Sequence, residues 1–256
     1  MKDFRKKQQR PRKSSLVYGR EAVRQALQDG NSFDRIYVDQ QAKDPLLGEI
    51  RRLATASQVP VNYVPRVKLD YFNVGDHEGV IAQKSRITYQ NLQDVISFVT
   101  ESGQVPLFLI LDGITDIRNI GGIARTAWCC GIHAIIIPDK GVGALNEDAI
   151  LTSAGALEKI PVCRVNSLMK AVDELHLNGI TVFAAEMKGS VPVATADFSI
   201  PAAIVMGSEE KGIYPALLKI CDTAISIPMQ HEFESLNVSV AAGMILYETM
   251  RQRMGT

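Results

Sequence analysis

The chain has few cysteines, and none of them is placed to hold a metal. Cys129, Cys130, Cys163 and Cys221 form no CxxC pair and no cluster with histidine, which argues against zinc. Their apolar neighbours predict buried thiols in a reducing compartment. There is also no apolar run near the ~20 residues that a membrane span needs, and no signal peptide near the start. We therefore expect a cytoplasmic protein with no metal and no membrane partner.

The sequence also lacks the signatures of two common enzyme classes. GGIAR at 121–125 is not a GxGxxG fingerprint, and GVGALN at 141–146 does not directly follow a strand. No histidine pair has metal-ligand spacing, and SAG at 153–155 is not a nucleophile elbow. A nucleotide-dependent enzyme of Rossmann type is therefore disfavoured.

The chain as a whole has no excess of positive or negative charge, because it has 28 basic and 28 acidic residues. The balance is uneven, since residues 1–13 hold seven basic residues and one acid, a net charge of +6. We expect a disordered basic tail on a mildly acidic body. Such a tail either contacts phosphates or only aids solubility, and its composition fits both functions equally.

The first third of the chain has the pattern of a small α/β domain over 14–86. Apolar residues recur at helical spacing in two segments, and three short apolar runs are typical of strands. The predicted helices are 19–30 and 45–58, and the predicted strands are 35–39, 61–64 and 79–85. The length of 256 residues allows a second domain after it. Between the two we expect a polar, partly helical linker at 87–104.

Residues 105–256 show continuous apolar strands that alternate with helices, which predicts a mostly parallel sheet buried on both faces. The predicted strands are 107–113, 133–138, 161–165, 180–186, 200–207 and 223–228. The predicted helices are 118–131, 146–158, 167–179 and 238–253.

The first candidate site segment is DGITDIRNIGGIARTA at 112–127. Asn119 is expected to begin or cap a helix, and Arg125 lies about 1.7 turns further along. Gly121 and Gly122 would allow close approach of another backbone. The alternative is an ordinary N-cap, a solvated arginine and a packing point.

Two later segments also place polar residues where strands end. GSEEKG at 207–212 carries Glu209 between two glycines, and a loop then brings Ser235 and Asn237 onto an apolar helix. Two strand ends and a helix start converge here, and open α/β sheets bind ligands at such points. A tight turn and a helix cap remain the simpler explanations for each segment taken alone.

Together the three segments resemble the motifs of the SpoU (TrmH-type) RNA ribose 2′-O-methyltransferases of the SPOUT superfamily. The match spans 107–253, and 14–86 is similar to the L30e-like substrate-binding domain of that family. The nearest subgroup acts on guanosine of large-subunit (23S) ribosomal RNA, and tRNA enzymes share the same core. The matching residues are Asn119, Gly121 and Arg125, then Val205, Met206, Gly207, Glu209 and Gly212, then Ile227, Pro228, Ser235, Leu236, Asn237, Val238 and Ser239.

The resemblance implies an α/β fold with a deep trefoil knot, a homodimer, RNA as substrate and S-adenosyl-L-methionine as cofactor. The implied cofactor-binding residues are Met206, Gly207, Ile227, Pro228 and Leu236. The sequence departs from the family pattern in two places. Ile117 replaces a common proline, which should loosen that loop, and QHEFE at 230–234 is unusually charged.

The resemblance also implies catalytic roles for Asn119, Arg125, Glu209, Ser235 and Asn237. A guanidinium is not normally deprotonated in proteins. We therefore expect Arg125 to bind the adjacent phosphate and stabilise a developing alkoxide, rather than to act as the base. A tRNA 2′-O-methyltransferase and a non-catalytic RNA-binding module remain alternatives.

Overall fold

The computed structural model describes residues 15–143, 145–187, 191–231 and 235–255, and the chain divides into two compact units after Ser85. The predicted basic tail at 1–13 lies outside the described residues, as do residues 232–234 of the charged loop. Each unit has its own sheet and its own apolar core.

The first unit is a four-stranded sheet with helices packed on it. Its elements are β1 (Leu16–Tyr18), α1 (Arg20–Gln28), β2 (Phe33–Asp39), α2 (Pro45–Ala56), β3 (Val61–Val64), α3 (Arg66–Asp70) and β4 (Val80–Lys84). The strand order is β1-β4-β2-β3, with β2 and β3 parallel and the other neighbours antiparallel. Val23 of α1 and Ile50 of α2 pack with Phe33 and Ile36 of β2.

Two elements of this unit have no counterpart in the predicted pattern. Strand β1 has three residues and helix α3 has five, which is too short for apolar periodicity to show. The other two helices and three strands lie where the sequence predicts them. Asp44 explains the sharp start of α2, because its carboxylate accepts the Leu46 N–H and Pro45 occupies the first turn.

The strands described in the second unit are β5 (Tyr89–Gln90), β6 (Leu107–Leu111), β7 (Ala134–Pro138), β8 (Val162–Val165), β9 (Thr181–Ala185), β10 (Val191–Pro192), β11 (Ala202–Met206) and β12 (Thr223–Ser226). They form one sheet in the order β10-β12-β9-β11-β6-β7-β8-β5, and all neighbouring strands are parallel. Its helices are α4 (Leu92–Glu101), α5 (Ile117–Cys129), α6 (Glu147–Thr152), α7 (Leu168–Leu177), α8 (Pro215–Leu218) and α9 (Val238–Met254). The predicted parallel α/β sheet is confirmed.

Strand β6 shows why this sheet is buried on both faces. Leu107, Leu109 and Leu111 belong to the core that contains residues of α5 and α9. Phe108 and Ile110 point to the opposite face and join the core that contains residues of α4 and α7. An uninterrupted apolar strand is therefore required, with no alternation of polar residues.

Residues 87–104 differ from the predicted linker. Strand β5 pairs with β8 at the edge of the large sheet, and α4 buries Leu92, Val95, Ile96 and Val99 in the second unit. The polar residues that suggested a linker, such as those after Asn91, lie on the exposed face of α4. This stretch is an integral layer of the second unit.

The helix predicted at 146–158 is shorter than expected. It ends at Thr152, and a separate 3₁₀ turn follows at Ala156–Glu158 after Gly155, whose φ is +81°. No helix in the described ranges is long and apolar enough to cross a membrane.

The strand order reverses beside β6, which has β7 on one side and β11 on the other. The chain runs outward from β6 to β8 on one side and places β9, β11 and β12 on the other side. Loops at the carboxyl ends of β6 and β11 therefore diverge and leave a crevice, the usual location of ligand sites in such sheets.

Candidate active site

The three predicted site segments meet at the carboxyl edge of the large sheet, through the side chain of Glu209. Its Oε1 accepts the Nδ2–H of Asn237 at 2.6 Å and the backbone N–H of Val238 at 3.1 Å. The same oxygen accepts the Nδ2–H of Asn119 at 3.3 Å, and Asn237 Nδ2 also donates to Asn119 Oδ1 at 3.1 Å. We call Asn119, Glu209 and Asn237 the amide–carboxylate cluster.

Asn237 has a second function as the N-cap of α9. Its Oδ1 accepts the N–H groups of Ser239 and Val240, and this leaves Nδ2 free to donate to the cluster. The helix cap that the sequence offers as the simpler explanation is therefore present, and the same side chain also contacts the other two segments. The Glu209 carboxylate also lies at the N-terminal end of the 17-residue helix α9, where it accepts the N–H of the first helical residue, Val238.

The sequence predicts that Asn119 begins or caps a helix, and in the structure it is not the cap. The N-cap of α5 is Asp116, whose carboxylate accepts the Arg118 N–H at 2.9 Å. Asn119 lies inside the first turn, so its whole amide is available to Glu209 and Asn237. Asp and Asn are both common N-cap residues, and both Asp116 and Asn119 lie where the apolar helical pattern begins. The pattern alone therefore does not distinguish Asp116 from Asn119 as the cap.

Gly207 brings the end of β11 against the turn that follows it. A Cβ built at this position would lie 2.2 Å from the Gly212 carbonyl carbon and 2.3 Å from the Ile213 nitrogen. Ser208 and Gly212 close the turn by exchanging two backbone hydrogen bonds of 3.1 and 2.8 Å. The turn at 208–212 is thus held tightly at the strand end, with Glu209 fixed in it.

A cavity of about 350 Å³ lies on one side of Glu209, past the ends of β9, β11 and β12. Five predicted site residues line it: Met206, Glu209, Ile227, Ser235 and Leu236. The predicted residues Gly207 and Pro228 are each next in sequence to a lining residue. Most of the wall is apolar, from Ala185, Met206, Ile225, Ile227, Leu236, Val238, Ala241 and Ile245, and its polar groups include Glu186, Ser208 and Ser226.

A second cavity, of about 660 Å³, lies on the other side of Glu209, in the crevice between the loops after β6 and β11. Asn119 lines this cavity, together with the loop at 112–116 and the turn at 208–212. The residues common to both cavities are Ser208, Glu209, Lys211, Gly212 and Val238. The amide–carboxylate cluster therefore lies beside both spaces. Lys211 and Glu186 were not predicted, because an isolated charge in a loop has no distinguishing pattern.

Arg125 is the one predicted catalytic residue that neither belongs to the cluster nor lines a cavity. It lines neither cavity, it is exposed on α5, and it has no hydrogen-bond or ion-pair partner in the described part of the chain. The surface around it is apolar, with Trp128 on α5 and Val240, Met244 and Tyr247 on the adjacent helix α9 all exposed by 46–60%. A single copy of the chain does not bring Arg125 to Glu209.

Two family models and a group of related proteins match the chain. The family model of the SpoU rRNA Methylase family matches residues 106–247. A second family model, described as RNA 2′-O ribose methyltransferase substrate binding, matches residues 16–90. A Bacillus subtilis protein named as a TrmH family tRNA/rRNA methyltransferase, YacO, is 35% identical over 93% of this chain and 95% of its own length.

Solved structures show the same fold. The SpoU methyltransferase AviRb from Streptomyces viridochromogenes, in complex with AdoMet, aligns with a TM-score of 0.59 and 25% identity over 94% of this chain and 91% of AviRb. A TrmH/SpoU tRNA modifying enzyme from A. aeolicus aligns with a TM-score of 0.53 and 28% identity over 64% of this chain and 85% of that enzyme.

The parallel α/β fold and the two matching family models identify an RNA-modifying transferase. The chain belongs to the SpoU methylase family. It is therefore an RNA methyltransferase, and the methyl donor of this family is S-adenosylmethionine.

Proposed function

We propose that the chain methylates the ribose 2′-oxygen of a guanosine in structured RNA, with large-subunit ribosomal RNA as its substrate. The observation that carries this proposal is that Asn119 and Asn237 both donate to one carboxylate oxygen of Glu209, which lines two adjoining cavities. A methyl-transfer enzyme needs its donor and its acceptor held side by side in a fixed geometry, and two adjoining cavities with a shared wall meet that need.

The smaller cavity fits the methyl donor. Its apolar wall suits an adenine ring and the carbon chain of a methionine, while Ser208, Ser226 and Glu186 offer polar partners for hydroxyl and amino groups. A Cβ at Gly207 would displace the turn that forms part of this wall. Met206, Ile227 and Leu236 would hold the donor, with Gly207 and Pro228 shaping the backbone around it. When bound, the donor supplies a methyl group already activated by a positively charged sulfur.

Residues of the chain would then position the ribose, and the proton that its 2′-hydroxyl loses would pass to the adjacent phosphate. The cluster fixes the amide of Asn119, which lines the larger cavity, so that it can bind a ribose hydroxyl. Ser235 lines the smaller cavity and would contact the same sugar from the other side. Glu209 is occupied by both asparagines and so acts as the group that positions them. Arg125 would bind the phosphate next to the ribose and stabilise negative charge that develops on the 2′-oxygen.

Arg125 can take this role only if a second copy of the chain completes the site. We therefore include a homodimer in the proposal, formed through the exposed apolar surface of α5 and α9. Trp128, Val240, Met244 and Tyr247 give this surface the aromatic and aliphatic anchors typical of subunit contacts. Burying that surface would place each Arg125 at the neighbouring subunit.

The first unit and the basic N-terminal segment would both bind the RNA substrate. The unit described over 15–85 would bind RNA away from the target nucleotide, as an L30e-like domain, and its match to the substrate-binding family supports this. The basic residues of 1–13 would add phosphate contacts.

A deep trefoil knot is proposed for the second unit. Its family membership supports this, as does the contact of α9 with α5 after the chain leaves β12.

The function is tested by transfer of labelled methyl from S-adenosylmethionine to unmodified ribosomal RNA and tRNA. We expect alkali-resistant label in ribosomal RNA, recovered as 2′-O-methylguanosine, and its loss in Arg125→Ala with donor binding retained. Lys170→Ala, which removes an exposed charge from α7, is the matched control. Label in tRNA alone would support a tRNA enzyme. Donor binding absent from the wild type would support a non-catalytic RNA-binding module.

The cross-subunit role of Arg125 has its own test. Arg125→Ala and Glu209→Ala are each expected to be inactive, and co-expression of the two should recover activity, because one site of each mixed dimer is intact. Absence of recovery in isolated mixed dimers would place Arg125 in the site of its own subunit or outside the reaction.

A further inference from the structure

We propose that the larger cavity receives the base of the target nucleotide, and that Glu210 selects guanine there while Tyr214 stacks on the ring. This inference rests on the proposed function and adds the residues that determine base specificity. It starts from the position of the cavity, which shares Ser208, Glu209 and Lys211 with the smaller cavity. A nucleoside whose ribose lies at the shared wall would place its base in the larger space.

Among the described residues, four carboxylates line this cavity, and three of them are already occupied. Asp112 accepts the Tyr214 N–H at 2.7 Å. Asp116 caps α5 and pairs with Arg118 at 2.8 Å, and Glu209 accepts the hydrogen bonds of the amide–carboxylate cluster. Glu210 is exposed and has no hydrogen-bond or ion-pair partner within the described ranges. It is therefore the carboxylate that remains available to a ligand.

Backbone hydrogen bonds hold Glu210 in place. It lies at the tip of the turn that Ser208 and Gly212 close, and the Lys211 N–H donates to Ser208 Oγ at 3.2 Å. Only the side chain of Glu210 needs to be ordered on binding. A carboxylate on a fixed turn discriminates better than one on a loose loop, since less freedom is lost when it binds.

Tyr214 supplies the aromatic surface of the same cavity. Its side chain is 62% exposed, and the hydrogen bond from its N–H to Asp112 fixes its backbone at the start of α8. Exposed aromatic rings are the usual stacking partners of unpaired bases in RNA-binding proteins. An aromatic ring and a free carboxylate on one cavity suit an extruded base better than they suit a phosphate, which the four carboxylates would repel.

The chemistry of the bases selects guanine. An ionised carboxylate only accepts hydrogen bonds, and it can accept two at once. Guanine presents two neighbouring donors on its Watson–Crick edge, N1–H and the 2-amino group. Adenine and cytosine each present a donor beside an acceptor, and the N3–H of uracil lies between two acceptors. A carboxylate at Glu210 would thus pair fully with guanine and be opposed by an acceptor in each of the other bases.

The test measures binding of guanosine and inosine to the full chain saturated with S-adenosylhomocysteine, by ligand-observed NMR titration. Inosine lacks the 2-amino group. We expect guanosine to bind more tightly than inosine, and Glu210→Gln to weaken guanosine binding by about 5- to 150-fold, the range of a good bidentate base contact. The loss for inosine should be smaller. Tyr214→Ala should weaken both nucleosides equally. Glu101→Gln, an exposed carboxylate at the end of α4, is the charge control.

Equal affinity for the two nucleosides, equal losses in Glu210→Gln, or no guanosine binding would overturn the inference. Glu210→Asp, which keeps the charge, serves as a second variant if Glu210→Gln fails to fold by circular dichroism. Methyl transfer separates this result from the function itself. Wild-type label in guanosine that Glu210→Gln leaves undiminished would overturn only the inference. Guanosine binding without transfer to any RNA would overturn only the proposed function.

Discussion

Gly207→Ala is the substitution whose effect can be worked out most directly from the geometry. The added Cβ would lie 2.2 Å from the Gly212 carbonyl carbon, whereas ordinary contact begins near 3.4 Å. The obstructing atoms are backbone, so no rotamer change relieves the clash. The turn at 208–212 must therefore move by roughly 1.2 Å, or β11 must shift within the sheet, and overpacking of this kind costs about 1–3 kcal/mol.

The same movement displaces Glu209, whose side chain forms part of the wall of both cavities. A misplacement of about 1 Å in a catalytic site can lower a rate by about 100-fold, so methyl transfer should fall by that order even where the protein remains folded. Urea unfolding followed by circular dichroism would measure the stability of the variant, and calorimetry would measure its affinity for S-adenosylhomocysteine. We expect both to decrease.

Gly48→Ala is the matched control. Gly48 is exposed inside α2, and a Cβ there has nothing within 4 Å. Alanine should stabilise that helix by up to about 1 kcal/mol and leave methyl transfer unchanged. Wild-type stability and turnover in Gly207→Ala would refute the reasoning, because they would mean that the strand end and the turn are not in close contact.

Three further predictions follow from other parts of the chain. Arg253 donates to four backbone carbonyls just before β6 and β11, so Arg253→Ala should lower the free energy of unfolding by roughly 2–4 kcal/mol in urea titrations, with Arg253→Lys intermediate. Burial, with the nearby charge of Arg253, lowers the pKa of His133. On acidification, His133 is therefore protonated at a higher pH in the unfolded chain than in the folded one. The contribution of neutral His133 to the free energy of unfolding should be complete above pH 6.5 and should fall as the pH drops below that value. His133→Gln should reduce this fall in unfolding midpoints measured from pH 8 to 5. Deletion of residues 1–13, with six net positive charges, should weaken RNA binding and flatten the slope of log affinity against log salt by up to about 4; an unchanged slope would exclude phosphate contacts by this segment.

The sequence was most informative where one physical requirement dominates a segment. The strand at 107–111 must be apolar on both faces, and its continuous run of apolar residues predicts a buried strand. The same logic was available for α4, because Leu92, Val95, Ile96 and Val99 have helical spacing. The polar residues between them concealed that signal, and this produced the incorrect linker at 87–104.

Most of the residues that the sequence predicts for the site lie together at the carboxyl edge of the large sheet, whereas their contacts could not be predicted. The choice between Asp116 and Asn119 as the cap of α5 depends on where the backbone leaves the preceding loop, which no spacing rule decides. The isolation of Arg125 depends on the rotation of a helix and on a surface that a single chain leaves exposed. Both properties arise from tertiary structure, so the chemistry of the loops could be anticipated but the geometry could not.

The convergence of three segments on Glu209 also has a consequence for folding. Asn119 is 90 residues before Glu209 and Asn237 is 28 residues after it, so the site forms only when both long chain segments have closed. Contacts so distant in sequence form slowly and late. During refolding, catalytic activity should therefore return after most of the helical signal has recovered. Measured that way, methyl transfer would report the final step of folding of the second unit.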